Sequence, residues 1–330
     1  MDILANRLTN PNLFQGNLNK KQYFEGWYYK QVSADGKTAI SFIPGISLNK
    51  DEPHSFVQYI IVQEDEREDT HTGYLRLTKD AFKWQDDPFQ VMVGENLFST
   101  EKLSVNIETK IDHISGAIHF GALSPIGTSA LQPNIMGPFA YFPKMECYHG
   151  ITSMNHSLQG SLLINGKMVD FTGGKGYIEK DWGSKFPKHY VWIQSNHFRE
   201  EDTSVFFSVA HVPFLGMELQ GFISNIHVKG KEYRFATYNN SKLSISFPSE
   251  NQVNVKIEND QAEVTLIGTV EHLGNLQAPV ESGMHKTIKE GVSGNLQMEL
   301  WDKETDYYYQ GLGTMAGIEI VDAHEMKSTI

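Results

Sequence analysis

Apolar and polar positions alternate with a period of two along most of the chain, the pattern of strands half-buried in a sheet. Phe56-Val-Gln-Tyr-Ile-Ile-Val62 and Ser204-Val-Phe-Phe-Ser-Val-Ala-His-Val212 are rich in β-branched and aromatic residues. Val253 to Ile257 alternates strictly, and Val264 to Val270 adds another β-rich run. Polar turn signals fall between such runs, at Ala34-Asp-Gly-Lys37, Asn165-Gly166, Lys229-Gly-Lys231, Asn239-Asn240 and Glu258-Asn-Asp260. Strands punctuated at this spacing predict an all-β sandwich or barrel. Amphipathic helical periodicity is nearly absent; Gly150 to Gly160 is expected to hold a turn of helix. Ile114 to Pro143 contains no Lys, Arg, Asp or Glu, but four glycines and four prolines, and reads as a strand followed by a long loop.

A faint duplication runs through the chain. Trp27-Tyr-Tyr-Lys-Gln-Val, a polar turn and Ala39-Ile-Ser-Phe-Ile-Pro44 are echoed by Trp192-Ile-Gln-Ser-Asn, a polar turn and Val205 to Pro213. Two related β-domains are therefore expected, at residues 20–170 and 171–330.

The 330 residues carry 40 acidic and 28 basic side chains, a formal charge of −12 that argues against nucleic-acid partners. One cysteine, Cys147, can build neither a disulfide framework nor a cysteine zinc site. Residues 1–16 lack the apolar core of a secretory signal, and no run approaches the roughly 20 apolar residues of a membrane-spanning helix. A cytoplasmic location is expected. The charge-free stretch 114–143 has two readings: a buried strand with an inter-domain connection, or a lip in peripheral contact with a membrane.

Three groups of residues carry candidate chemistry. On a strand, Tyr177, Glu179 and Asp181 share one face, with Lys180 and Trp182 on the other. Burial and mutual repulsion of two carboxylates favour a proton donor near neutral pH; the bland alternative has Asp181 bracing the turn at Gly183 and Glu179 paired with Lys175 or Lys188. Trp192, Gln194 and Asn196 also alternate onto one face, as a wall that stacks on a flat ring and hydrogen-bonds its hydroxyls, or as core tryptophan with satisfied amides. Glu146, His149 and His156 lie close in sequence, but a metal centre lacks the second Glu-x-x-His pair that iron would need, so no metal is expected. His149 assists proton transfer or orients a hydroxyl, or is an ordinary core histidine. Gly173-Gly-Lys-Gly176 lacks the spacing of a phosphate loop, and no nucleophile-elbow motif is present.

Tyr23-Phe-Glu-Gly-Trp-Tyr-Tyr-Lys30 resembles the opening signature of the tocopherol cyclase family. Phe171-Thr-Gly-Gly-Lys-Gly-Tyr-Ile-Glu-Lys-Asp-Trp-Gly183, continuing through Phe186-Pro187 to Trp192-Ile-Gln-Ser-Asn-His-Phe198, resembles its longest block, and Leu276-Gln-Ala-Pro279 and Met315-Ala-Gly-Ile-Glu-Ile320 resemble its C-terminal blocks. The resemblance implies a calycin-like fold of two lipocalin-type β-domains, as in the related carotenoid hydratases. It implies an isoprenoid or lipid-like substrate, a proton delivered to an alkene carbon, and no redox cofactor. A similar tyrosine-x-carboxylate pair in the hydratases makes Glu179 the expected acid and Tyr177 its neighbour. Gly26-Trp27 resembles the lipocalin Gly-x-Trp start, which makes Trp27 structural. The chain departs from the plant enzymes in the charged loop Glu66 to Thr72, in Asp181 where they resemble E-K-N-W, in Met145 to His149, and in the absence of a plastid transit peptide, so the substrate stays open. The alternatives to a cyclase or hydratase are a non-catalytic lipid binder using the same cavity and a glycan-acting protein with paired carboxylates.

Overall fold

The computed structural model describes residues 7–63, 70–143, 145–214 and 217–330. It is nearly all strand. The chain divides into two compact units, residues 1–186 with 275–288, and residues 187–274 with 289–330.

The first unit carries β1 (Phe24–Val32), β2 (Thr38–Ser47), β3 (His54–Gln63), β4 (His71–Thr78), β5 (Phe82–Asp86) and β6 (Phe89–Val93). It continues with β7 (Asn96–Ser99), β8 (Lys102–Glu108), β9 (His113–Phe120), β10 (Cys147–Ile164), β11 (Lys167–Asp170) and β12 (Lys175–Gly183). The sheet order is β4-β3-β2-β1-β12-β10-β9-β8-β7-β6-β5, with β11 paired to β10. The remaining strands are β13 (Tyr190–Ser195), β14 (Ser204–Phe214), β15 (Met217–Val228), β16 (Lys231–Ala236), β17 (Lys242–Ser249) and β18 (Gln252–Glu258). They are followed by β19 (Ala262–Thr269), β20 (Leu273–Val280), β21 (Gly283–Asp302) and β22 (Tyr307–Val321), in the order β16-β15-β14-β13-β22-β21-β19-β18-β17 with β20 on β21. Each sheet thus winds as a four-strand meander whose first strand meets a late-returning strand, which is the duplication expected from the two Trp-led segments.

Two expectations are corrected. Gly150 to Gly160 is no helical turn: it lies inside the 18-residue strand β10, which is paired along its length by β9 and β12. Turn-like glycines misled the reading; both are absorbed in the sheet, where ladder pairing outweighs local propensity. The boundary expected at residues 170/171 falls between β11 and β12, and both belong to the first unit, because β12 is inserted between β1 and β10. Hairpin residues 275–288 also belong to that unit: Gln277 exchanges backbone hydrogen bonds with the Gln58 amide (2.6 and 3.2 Å), and Asn49 donates to the Glu281 carbonyl (2.8 Å). The charged loop expected from Glu66 lies at positions 66–69 outside the described residues, while His71 and Thr72 begin β4. The strand-plus-loop reading of 114–143 matches β9 and the long connection after it.

One face of the first sheet carries the core, with Trp27, Tyr29, Phe42, Phe98, Ile118, Leu162, Ile178 and Trp182 among its buried residues. Lys180 lies on this same apolar face, between Ile178 and Trp182. Its ammonium is 2.5 Å from Glu25 Oε1, donates to the Leu13 carbonyl at 2.5 Å, and sits 4.8 Å from the rings of both Trp27 and Trp182. The Glu25 carboxylate also accepts the Gln15 and Gly16 backbone N–H groups (2.8 and 3.0 Å) and the Tyr23 hydroxyl, and Trp27 Nε1 donates to the Asn12 carbonyl at 2.9 Å. A fully buried ion pair is therefore hydrogen-bonded on every side and ties residues 12–16 across the core. Burial lowers the Lys180 pKa to about 8 against the opposing pull of Glu25.

Breaking this pair strands a charge in the core. Lys180→Met is expected to cost roughly 3–5 kcal/mol in urea unfolding, with part of that recovered in Glu25→Gln/Lys180→Met. A single variant as stable as the wild type would show that the pair is not what holds this end of the unit.

Candidate active site

The other face of β12 carries Tyr177, Glu179 and Asp181, as the period of two requires. β1 and β10 flank it. In register, Glu179 faces Tyr28 and Ile151, Tyr177 faces Lys30, and Asp181 faces Gly26 and His149. Gly183 ends the strand where a Cβ would lie 2.1 Å from the Glu146 carbonyl oxygen, so only glycine lets β10 close on β12 here.

This register inserts His149 between two carboxylates. Its Nδ1 is 2.8 Å from Asp181 Oδ1, and its Nε2 is 3.3 Å from Glu179 Oε2. The Tyr177 hydroxyl donates to the same Glu179 oxygen at 2.5 Å. Tyr177 and Glu179 are buried, and Asp181 is the member that reaches solvent, with 26% of its side chain exposed. Glu179 contacts His149 and Tyr177, and Asp181 holds the same imidazole.

The electrostatics follow from the geometry. Burial alone would lower the His149 pKa, but Asp181 and Glu179 together overcome it and raise it to about 10. His149 is therefore held as an imidazolium near neutral pH, with Nδ1 hydrogen-bonded to Asp181 and Nε2 in ion-pair contact with Glu179. Burial, and then the neighbouring Glu179 charge, push the Tyr177 phenol well above its usual range, so it remains a donor. Cys147 stands 4.0 Å from Asp181 Oδ1; burial and the adjacent carboxylates raise its pKa well above the usual thiol range, which keeps the sulfur protonated and a poor nucleophile.

The donor atoms of His149, Glu179 and Asp181 lie within 4.8 Å of one another, a set that in kind would suit a cation. One carboxylate contacts each ring nitrogen, Asp181 at Nδ1 (2.8 Å) and Glu179 at Nε2 (3.3 Å).

The other expected residues are placed as follows. Glu146 stays out of the cluster: its side chain pairs with Lys185 at 2.9 Å, and its carbonyl accepts the Ser184 N–H at 2.8 Å. His156 is on the core face opposite Gly176, against Phe120, and burial keeps it neutral by lowering its pKa to about 3. Trp192, Gln194 and Asn196 are buried in the second unit; Trp192 and Gln194 lie on the face of β13 opposite the core residues Val191 and Ile193. Two residues escaped the sequence reading, Tyr28 and Lys30. Both are buried and share the face of Glu179 and Tyr177, and the alternation Gly26-Trp-Tyr-Tyr-Lys30 already carried that signal. A small cleft beside hairpin 275–288, lined by Tyr23, Ser47, Asn49, Glu281 and Gly283, includes none of the four cluster residues.

The profile of the tocopherol cyclase-like family matches residues 119–321, more than half of the chain and the whole span from β10 to β22. The chain belongs to the tocopherol cyclase-like family. The probable chloroplastic tocopherol cyclase of Oryza sativa subsp. japonica is 26% identical over 185 residues, which cover 53% of this chain and 38% of that protein. The chain thus matches well under half the length of its plant relative. Among solved structures, CghA aligns with a TM-score of 0.58 at 8% identity over 92% of this chain and 89% of its own. Kievitone hydratase from Nectria haematococca aligns with a TM-score of 0.55 at 13% identity over 97% and 93%. At such identities the two structures establish the shared lipocalin-like architecture alone. In this family member the matched region includes His149, Tyr177, Glu179 and Asp181.

The His149 ion pairs make stability depend on pH in a stated direction. The folded-state pKa of about 10 exceeds the unfolded value of 6.5, so the stabilisation is complete below pH 6.5 and is lost as pH rises through 10. Urea unfolding across that range is expected to show the wild type losing its advantage over His149→Gln as pH increases. Parallel stability profiles for the two proteins would contradict a charged His149.

Proposed function

We propose that the chain is a cyclase or hydratase acting on an isoprenoid-bearing substrate, such as a prenylated hydroquinone, by protonating a carbon–carbon double bond. One observation carries the reading: the buried His149 ring contacts two carboxylates, one of which also accepts a tyrosine hydroxyl. Family membership supports the reaction class, since a relative is named a tocopherol cyclase.

In this proposal Glu179 is the acid. His149 passes its Nε2 proton to Glu179, which converts an ion pair into two neutral groups; an apolar substrate alongside favours that conversion because it withdraws solvation from charge. Glu179 then protonates the less substituted alkene carbon, leaving the cation on the more substituted one. A substrate phenol oxygen, or water, bonds to that cation, and the proton it releases returns to the Glu179 carboxylate. Ring closure by the phenol is an isomerisation and addition of water a hydration; neither changes oxidation state. Asp181, at the solvent-exposed end, stabilises the imidazolium and orients its ring. Tyr177 fixes the Glu179 carboxyl. General acid catalysis of this kind supplies about 10²–10⁴-fold, and holding the folded tail near the nucleophile supplies more.

Glu179→Gln keeps the shape and removes the transferable proton. With a prenylated hydroquinone as substrate and product followed by mass spectrometry, kcat is expected to fall at least ~10²-fold, while substrate binding to the folded variant stays near wild type. Undiminished turnover would remove Glu179 from the acid role. Stoichiometric retention of a lipid by the wild type with no product formed would favour a binding protein instead.

A further inference from the structure

The connection after β9 is unusual in being both exposed and uncharged. Charged residues make up 21% of the chain, yet residues 114–143 contain none. At its outer end Ser129 and Gln132 exchange backbone hydrogen bonds (2.9 and 3.1 Å), closing a four-residue turn with Leu131 at the tip, 77% exposed. The Tyr141 hydroxyl donates to the Ala130 carbonyl at 2.6 Å, which brings residues 141–142 beside that tip, and Tyr141 and Phe142 are themselves 51% and 43% exposed. Phe139 and Phe142 are in ring contact at 5.9 Å. The tip is fixed to the sheet: the Tyr148 hydroxyl donates to the Phe142 carbonyl at 2.6 Å, and the Tyr148 ring stacks on Trp182. The next residue is His149.

We infer that the surface formed by Leu131, Tyr141 and Phe142 is a docking surface for an uncharged lipid membrane. A protruding leucine beside two aromatics suits the interface between headgroups and acyl chains, where Tyr places its ring in the apolar layer and its hydroxyl at the polar edge. Such side chains cost free energy in water and regain it on insertion. The charge pattern selects the lipid. Residues 114–143 contain no Lys or Arg, with a single lysine directly after them, and the net charge of −12 disfavours anionic headgroups, so attachment is expected to depend on insertion. A protein partner would be expected to meet a broader patch with a polar rim, whereas here one leucine projects from a turn with two aromatics beside it. The inference goes beyond the proposed reaction and does not rest on it: vesicle binding requires no turnover.

Co-sedimentation of the full chain with phosphatidylcholine vesicles tests it. The wild type is expected to bind, to bind equally from ~50 mM to ~500 mM salt, and to bind less when anionic phosphatidylglycerol is added. Leu131→Ser/Phe142→Ser retains the Tyr141–Ala130 hydrogen bond, and is expected to weaken binding at least about tenfold with an unchanged Tm. A wild type that stays in the supernatant, a double variant that binds as well, or binding that requires anionic lipid would each overturn the inference. So would a sedimentation-equilibrium dimer that the same substitutions abolish, since the surface would then pair two copies.

Discussion

Strand β12 is buried on both faces and carries charge on both. Lys180 points into an apolar core and Glu179 points the other way, one residue along, so the alternation of a single strand separates the Lys180–Glu25 pair from the Glu179–His149 contact. The constraint is severe. A slip of one residue in the ladder would bring Glu179 onto the face of Trp27 and turn Lys180 and Trp182 toward His149, leaving each charge without its counter-ion. Continuous pairing with β1 from Phe24 to Val32, and with β10 across two register shifts, prevents that slip.

The two buried pairs differ in what they can do. Around Glu25 the carboxylate oxygens are engaged by Lys180, Tyr23 and backbone N–H groups. Around His149 the same kinds of group are arranged with one member open to solvent and a carboxylate against each ring nitrogen. In the proposed reaction a proton enters at Asp181 and leaves at Glu179. The geometry thus suits reactions that borrow a proton and give it back, which is the requirement of cyclisation or hydration at an alkene, and the two bulges in β10 sit beside this cluster, where such irregularities commonly re-aim side chains.

Much of the fold was legible because strand periodicity and turn chemistry are local. The same locality explains why Tyr177, Glu179 and Asp181 could be placed on one face from the sequence. His149 could be marked but not assigned: its partners lie 30 and 32 positions away, and nothing in Met145 to His149 indicates the register that pairs it with Asp181. The helical reading of residues 150–160 failed for a related reason, since the glycines there are accommodated by neighbouring strands that no local rule reveals. Lys30 and Tyr28 were legible and overlooked, because the tryptophan at position 27 drew attention to the opposite face. The unit boundary was misplaced because a returning strand belongs to the sheet it completes rather than to the sequence that follows it.

The central claim is that this site delivers a solvent-exchangeable proton to carbon. Turnover of a prenylated hydroquinone in deuterium oxide, with the product examined by NMR, tests it most directly. The account predicts one deuterium on the carbon adjacent to the newly formed carbon–oxygen bond. A product formed at full rate with no deuterium at that carbon would contradict it.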